Sequence, residues 1–154
     1  MGQNITAGNP FGSIITQDEC FPDITVSNTA KATSGTERSF TNGAPLQKVK
    51  AITIDAGSPL QSQTLRIKYD SNMATGWTVY SNIYINGVAV GTLRTATSST
   101  VFSEDIPNIS SGDLIEIWAY RTGSSGGSSS IDDMMICFDE TFAPTTGTTF
   151  TIGS

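Results

Sequence analysis

Hydrophobic and polar residues alternate along residues 112–121, GDLIEIWAYR, for the full length of a typical strand. The first two residues, Gly and Asp, are typical of a turn. Successive side chains of a strand point to opposite faces, so this pattern predicts one apolar and one mixed face. The apolar face carries Ile115, Ile117 and Ala119. The other face combines aromatic with charged residues, which is the chemistry of a surface that meets a partner.

The same kind of pattern predicts eight or nine strands and no convincing helix. They are expected at residues 24–27, 36–41, 48–55, 64–70, 77–85, 88–90, 100–106, 112–121 and 131–138. Polar residues 31–35 predict a turn and residues 95–99 predict a Ser/Thr loop. Pro107 is expected to end a strand.

The strongest local signal is the pair Asn86 and Gly87, which lies between the alternating segments 77–85 and 88–90. Asn-Gly in this position is typical of a type I′ hairpin turn, because both turn positions need a positive φ. We therefore expect residues 83–85 to pair with residues 88–90.

Closely spaced strands without helices predict an all-β fold, specifically an antiparallel two-sheet jelly-roll sandwich of eight or nine strands with extended N- and C-terminal arms. An immunoglobulin-like sandwich is the less favoured alternative, since its paired cysteines and core tryptophan are not at their usual spacing. The composition agrees, because Ser, Thr, Gly and β-branched residues favour strands and turns.

Glycines and prolines interrupt both ends of the chain, where no regular strand pattern extends far. We predict an N-terminal arm at 1–22, a sandwich domain at 23–139 and a C-terminal tail at 140–154. The expected anchors of the arms in pockets between chains are Phe11, Phe142 and Phe150. This organisation predicts a homo-oligomer or a subunit bound to a larger assembly.

Charge and composition argue against several classes of function. The net charge is −6 with only 8 Lys and Arg residues, whereas nucleic-acid binding needs a basic stripe. No apolar run approaches the roughly 18 residues of a membrane span. The sequence begins with Met and lacks the pattern of a secretory leader, so we expect the protein to be made and used without one.

Neither catalysis nor a cofactor is expected. The chain has no His, which removes Ser-His, Cys-His and most zinc chemistry. Glu104 and Asp105 are neighbours in a predicted strand and therefore point to opposite faces, unlike the paired carboxylates of a glycosidase. The two cysteines, Cys20 and Cys137, lack metal spacing and are expected to be free thiols in a reducing compartment.

Calcium is the one metal hypothesis that the sequence leaves open. Acidic residues cluster near the last predicted strand, at Asp132, Asp133, Asp139 and Glu140. Calcium needs about six to eight oxygen ligands, and no spacing here resembles a dedicated calcium loop. A solvated acidic face is preferred, no metal ligand is assigned, and structural calcium is the minor alternative.

Several side chains that point away from the first core layer are candidates for a ligand-binding or interface surface. They are Arg66, Lys68, Tyr80, Asn82, Tyr84, Glu116, Trp118 and Tyr120. Aromatic rings among hydrogen-bonding groups suit a sugar, whose apolar face stacks and whose hydroxyls need fixed partners. The same chemistry is enriched at protein interfaces, and a second core layer is the structural alternative. Trp77 is a further candidate as a stacking platform, although a residue at such a loop-to-strand junction more often closes the core.

Three segments resemble, in the order of their motifs, the galactose-binding-like jelly roll of carbohydrate-binding modules. They are WTVYSNIYINGVAVGTL at 77–93, VFSEDIPNISSGDLIEIWAY at 101–120 and SIDDMMICFD at 130–139. In such modules a hairpin with Asn-Gly precedes a strand, a Gly-Asp turn, a core strand and a final strand that opens with a small residue and Asp. The chain is also similar to the jelly rolls that decorate virus and phage capsids or form head fibres. The resemblance implies the fold, and resembling modules often hold a structural calcium.

Two functional hypotheses follow. The first is a structural virion protein, a capsid decoration, cement or fibre subunit on the outer surface, which binds capsid proteins and copies of itself. The second is a non-catalytic carbohydrate-binding module that presents its aromatic face to a surface glycan in an extracellular setting. The terminal arms and the missing leader pattern favour the first hypothesis.

Overall fold

The computed structural model describes residues 23–43, 45–58, 60–123 and 126–141. The strands in this part of the chain are β1 (Asp23–Ser34), β2 (Arg38–Ser39), β3 (Gln47–Thr53), β4 (Gln63–Met73), β5 (Trp77–Ile85), β6 (Val88–Ala89), β7 (Arg94–Ala96), β8 (Thr100–Ile109), β9 (Leu114–Gly123) and β10 (Ser129–Thr141). The described residues contain no helix. They therefore include no helix that is long and apolar enough to cross a membrane.

The strands form two five-stranded sheets, A and B, packed on one core. Sheet A has the order β1, β10, β4, β8, and β2 also pairs with β10. Sheet B has the order β3, β9, β5, β6, and β7 pairs with β5 beside β6. The pairs of β4 and β9 with their neighbours are antiparallel. The predicted all-β jelly-roll sandwich is confirmed, with ten strands in the described part of the chain instead of the eight or nine predicted.

Apolar side chains at alternate positions of both sheets form the core. β4 contributes Leu65 and Ile67, and β9 contributes Ile115 and Ile117, none of which has exposed surface. Burying each of these side chains contributes about 1.5–3 kcal/mol relative to leaving it in water. The phase of each strand therefore decides which of its residues stay outside and can serve a binding surface.

The predicted hairpin at Asn86 and Gly87 is present. Their φ angles are 52° and 80°, both positive as a type I′ turn requires. Ile85 pairs with Val88 directly across the turn. The Asn-Gly pair thus sets the register at the outer edge of sheet B.

Several strands differ in length from the predicted ones, and the predicted strand at 36–41 is reduced to β2. Three of the differences have a clear physical reason. β1 continues through the predicted turn at 31–34, because Ala32 packs against the core from this strand. β8 runs past Pro107 to Ile109, and its register with β4 shifts at this place, so the proline occupies an irregularity at the edge of sheet A. β7 forms within the predicted loop because it pairs with β5, a contact that local sequence does not encode.

Lys50 is a buried charged residue that ties the two sheets together at one edge. It belongs to β3 of sheet B and is 4% exposed. Its ammonium group donates hydrogen bonds to the backbone carbonyls of Ser34 and Asp132, both in sheet A. Burial lowers the pKa of Lys50, and the carboxylates of Asp133 and Asp132 oppose this shift.

Some predictions fall outside the described residues. They concern the arm at 1–22, the tail beyond residue 141, Cys20, and the anchors Phe11, Phe142 and Phe150. Where the chain is described, β10 continues to Thr141, past the predicted domain end at residue 139.

Candidate binding surface

Four aromatic residues lie on the outer face of sheet B and are called here the aromatic face: Tyr80, Tyr84, Trp118 and Tyr120. They come from the adjacent central strands β5 and β9, in which they alternate with core residues. Tyr80 pairs directly with Tyr120, and Trp118 lies opposite Asn82. All four side chains are half-buried. The antiparallel register thus gathers the aromatic residues that the sequence predicts to share a face.

The rings of the aromatic face form two stacked pairs. The ring centroids of Tyr80 and Tyr120 are 4.7 Å apart, with 10° between the ring planes. The centroids of Tyr84 and Trp118 are 4.8 Å apart, with 23° between the planes. Such cross-strand pairs stabilise a sheet by roughly 0.2–1 kcal/mol each. Because one face of every ring already contacts a neighbouring ring, a ligand meets mainly ring edges, hydroxyl groups and the outer faces of the pairs.

Glu116 holds a charged network beneath the aromatic face. It is 2% exposed although its strand phase points it outward. Its Oε1 lies 3.2 Å from Nζ of Lys48, and its Oε2 accepts a hydrogen bond of 2.8 Å from the backbone N–H of Gly87. This carboxylate therefore connects the edge strand β3, the central strand β9 and the hairpin turn.

Two polar groups of this surface have special environments. Asn82 is 8% exposed, and its Oδ1 accepts a hydrogen bond of 2.7 Å from the N–H of Ile83. Among the described residues, the buried Nε1–H of Trp118 has no hydrogen-bond acceptor. A buried donor without an acceptor costs about 1–3 kcal/mol, so this indole gains from any acceptor that approaches it.

Arg66 lies on the other sheet, so the structure does not bring it together with the aromatic face. It donates bidentate hydrogen bonds of 2.7 and 3.0 Å to the carboxylate of Asp105 and one of 3.3 Å to Asn28. These contacts are on the outer face of sheet A. The Arg66 guanidinium lowers the pKa of Asp105 through the hydrogen bonds, whereas desolvation opposes this shift.

Trp77 also lies apart from the aromatic face. It has the phase of the core residues of β5 and is 7% exposed. The guanidinium of Arg121 lies 4.1 Å from the centroid of its ring, which is a cation–π contact. This placement agrees with the interpretation that Trp77 closes one end of the core.

Two of the four acidic residues near the last strand lie in an irregular part of β10. The register with β4 shifts between Ile131 and Met134, so Asp132 and Asp133 occupy a bulge. Asp132 accepts hydrogen bonds from Asn72 and from Ser130. Burial raises the pKa of nearby Asp70, and the two bulge carboxylates raise it further. The described residues include no group of three or more His, Cys, Asp or Glu placed to hold a metal ion.

Lys48 was not predicted as part of this surface, and the reason is a second irregularity. The alternation of residues 48–55 gives Lys48 the same phase as the apolar Ile52. The register of β3 with β9 shifts between Lys48 and Lys50, so that Lys48 instead lies opposite Trp118. Only the pairing with the neighbouring strand reveals that this lysine lies beside the aromatic face.

The similarity of this chain to known proteins is limited to a weak structural likeness. No protein-family model matches the chain, and no curated protein sequence matches it. Among solved structures, the chain is similar to the CBM36-1 domain of a multidomain xylanase from the hindgut metagenome of Trinervitermes trinervoides. The identity is 14% and the TM-score is 0.43, and the match covers 75% of this chain and 95% of that domain. It is similar to a carbohydrate-binding module CBM36 in complex with calcium and xylotriose, with 20% identity, a TM-score of 0.37, and coverage of 70% and 99%.

A third similar structure is that of infectious bursal disease virus, Gx strain. The identity is 17% and the TM-score is 0.41, and the match covers 76% of this chain and 33% of the viral chain. The likeness therefore extends over about a third of that viral protein.

Proposed function

We propose that this chain is a non-catalytic structural protein that acts by protein–protein binding, as a decoration, cement or fibre subunit on the outer surface of a virion. In this proposal the aromatic face is the surface that meets the partner protein. The observation that carries the proposal is the pairwise stacking of its four rings. The terminal segments, with Phe11, Phe142 and Phe150, supply the second means of attachment.

The stacking geometry favours a protein partner because one face of each ring is already covered by the neighbouring ring. A pyranose packs its apolar face flat against an open aromatic ring. In the pairs Tyr80–Tyr120 and Tyr84–Trp118, one face of each ring is covered by the other ring at 4.7 and 4.8 Å. Ring edges, tyrosine hydroxyls and a flat amphipathic surface remain, and these features are enriched where proteins meet.

The rigidity of the surface supports the same proposal. The aromatic face lies on two central strands, and Glu116 links the strand beneath it to Lys48 and to the hairpin turn. Rigid aromatic residues lose little conformational entropy on binding, so most of their contact energy remains as affinity. The half-exposed side chain of Lys48, opposite Trp118, adds specificity for the charge of the partner.

Carbohydrate binding is the second candidate function, and one observation favours it. Asn82 and Lys48 place an amide and an ammonium group on the two strands that flank Trp118, each directly opposite it. Fixed polar groups next to aromatic rings are the groups that recognise sugar hydroxyls. In this case the ligand is a surface glycan, the setting is extracellular, and the outer faces of the stacked pairs are the platforms.

The two functions are separated by one pair of variants. The binding variant carries both Tyr84→Ser and Trp118→Ser, which remove one stacked pair from the aromatic face. The control is Val101→Ser, which shortens an exposed side chain on the outer face of sheet A. Each protein is assayed for sedimentation with particles from its source in a density gradient, and for retardation in gels that contain xylan or other soluble polysaccharides.

A structural virion role predicts that the parent and the Val101→Ser control sediment with the particles and that the double variant stays unbound. No protein is then retarded by polysaccharide. Retardation of the parent, abolished in the double variant, would assign the aromatic face to a glycan. A parent protein that is absent from all particle fractions would contradict the virion role.

A further inference from the structure

Apolar side chains are exposed along one edge of the sandwich. Val88, Val90 and Leu93 are 64%, 44% and 52% exposed and lie within six consecutive residues that join β5 to β7; we call them the apolar ridge. Among the described residues, Val101 of β8 is the one other large hydrophobic side chain with comparable exposure. Clustered exposed apolar residues mark surfaces that contact other molecules, whereas isolated ones need no explanation.

The ridge is held rigidly by hydrogen bonds. The N–H groups of Val90 and Gly91 donate to the carbonyl of Ile83 at 3.0 and 3.1 Å. Thr92 donates to the carboxylate of Glu104 from its N–H, at 3.0 Å to Oε1, and from its hydroxyl, at 2.8 Å. A flexible loop would be free to turn these apolar side chains away from water. Here the backbone fixes them in an exposed position, which is the preorganisation expected of a contact surface.

Glu104 also shows where the ridge lies in the fold. It belongs to β8, the last strand of sheet A, and Nη2 of Arg94 in β7 is 3.3 Å from its Oε2. β6 and β7 form the corresponding edge of sheet B. The ridge therefore runs along the edge of the sandwich where β8 meets β6 and β7.

An apolar cleft lies at the opposite edge, between β1 of sheet A and β3 of sheet B. Its volume is about 270 Å³. Its apolar lining consists of Ala32, Ile52, Ile54, Leu60, Ile136 and Phe138. Lys31 and Asp55 stand at its rim, so the rim carries one charge of each sign. A cleft of this kind suits aliphatic side chains that enter from another molecule.

Charge explains why a second copy of this chain is a suitable occupant. The net charge of −6 makes two copies repel each other unless their contact surfaces avoid like charges. The ridge segment 88–93 has no charged residue, and Arg94 follows it directly. Arg94 is paired with Glu104, so the margin of the ridge carries one charge of each sign, as does the rim of the cleft with Lys31 and Asp55. The two surfaces are thus apolar at the centre, and each positive group at one margin has a negative group to meet at the other.

We propose that the apolar ridge of one copy docks into the apolar cleft of a second copy. Because ridge and cleft lie on opposite edges of the sandwich, each copy keeps one free ridge or cleft, and the contact is heterologous. Repetition produces a ring or an open row of subunits. The interface uses neither the aromatic face nor any residue of it, so self-association and partner binding are independent and can fail separately.

Two variants and a control test the proposal on the full chain. Leu93→Asp places a charge on the ridge, and Ala32→Phe fills the cleft from within. Ser58→Phe, at the cleft margin, is the second cleft variant in case Ala32→Phe does not fold. The control is Thr122→Asp, which adds the same charge at an exposed residue of β9, a central strand of sheet B away from both the ridge and the cleft. Circular dichroism establishes folding, and sedimentation velocity from micromolar to millimolar concentrations measures association.

We expect the parent to grow beyond dimers with concentration and the control to behave in the same way. Each single variant should lose at least tenfold in association constant. An equimolar mixture of the ridge variant and the cleft variant should form a one-to-one dimer and nothing larger, because one intact ridge and one intact cleft remain. A parent that stays at 16.2 kDa at every concentration would overturn the proposal. Normal growth of both cleft variants, with loss only in Leu93→Asp, would also overturn it, since the ridges would then pair with each other.

Discussion

The hydroxyl of Tyr69 lies 2.9 Å from Oγ of Ser81, and this hydrogen bond joins the two sheets inside the core. Tyr69 belongs to β4 in sheet A and is 1% exposed, whereas Ser81 belongs to β5 in sheet B and has no exposed surface. Each group satisfies the other, so neither polar atom is left unpaired in an apolar environment. The hydrogen bond therefore fixes β5, a central strand of sheet B, against sheet A. The aromatic face lies on the opposite, outer side of β5.

We predict that Tyr69 makes the protein sensitive to alkaline pH. Burial raises the pKa of its hydroxyl from the usual 10.0 to about 12, while the hydrogen bond with Ser81 acts in the opposite direction. Since the folded-state pKa is the higher one, the stabilisation is complete below pH 10 and is lost as the pH rises from 10 to 12. Two pKa units correspond to about 3 kcal/mol in the free energy of unfolding.

The check is urea unfolding of the parent and of Tyr69→Phe at pH 8 and at pH 11.5. At pH 8 the variant should be less stable by about 1 kcal/mol, because it loses the hydrogen bond to Ser81. At pH 11.5 this difference should shrink or reverse. An equal difference at both pH values would show that the hydroxyl does not ionise with unfolding.

Gly87→Val should destabilise the hairpin through its backbone alone. Gly87 has a φ of 80°, and a Cβ at this position would meet no atom within 4 Å. A β-branched residue at positive φ costs about 1–3 kcal/mol. The matched control is Gly57→Val, since Gly57 lacks a positive φ and its Cβ would approach only Asp55, at 3.6 Å. Thermal melting of both variants decides the matter, and an unchanged Gly87→Val melting curve would contradict the assigned turn.

Gly91→Ala should loosen the apolar ridge because there is no room for a side chain. A Cβ on Gly91 would lie 2.9 Å from Cβ of Ile83 and 3.0 Å from Oδ1 of Asn82. We expect a loss of about 1–3 kcal/mol in the free energy of unfolding. Gly126→Ala, where the Cβ meets nothing within 4 Å, should have little effect. Chemical unfolding that ranks the two variants in the reverse order would exclude the close packing of this segment.

The two tryptophans should respond differently to replacement by Ala. Trp77→Ala removes a residue that is 7% exposed and should cost about 3–5 kcal/mol. Trp118→Ala removes a half-buried ring from its stack with Tyr84 and should cost about 1–2 kcal/mol. Urea unfolding measures both values. A greater loss for Trp118 would mean that the aromatic face is a second core layer and not a binding surface.

Cys137 should behave as an inert free thiol in the folded protein. It is free and has no exposed surface. Burial raises the pKa of its thiol, and Lys68 and Arg66 only partly offset this rise, so little reactive thiolate is present near neutral pH. Thiol titration should find Cys137 unreactive in the native protein and two free thiols per chain after denaturation without reductant. Finding none after denaturation would contradict the reducing compartment expected from the sequence.

The sequence alone determined the features that depend on neighbouring residues. Alternation in residues 112–121 predicted the core phase of Ile115 and Ile117 and the outward phase of Trp118 and Tyr120. Asn86 and Gly87 predicted the hairpin, because a requirement for two positive φ angles selects few residue pairs. The class of fold followed from such local patterns, since strand period and turn chemistry are encoded within a few residues.

The tertiary structure alone decided how these elements combine. Arg66 and Trp118 both point outward from their strands, yet they lie on different sheets, and strand phase carries no information about which sheet a strand joins. Lys48 faces outward only because its pairing with β9 shifts by one residue. β7 exists only because β5 offers it an edge. Each of these outcomes depends on hydrogen bonds between residues far apart in the chain, which a local pattern of hydrophobic and polar residues does not specify.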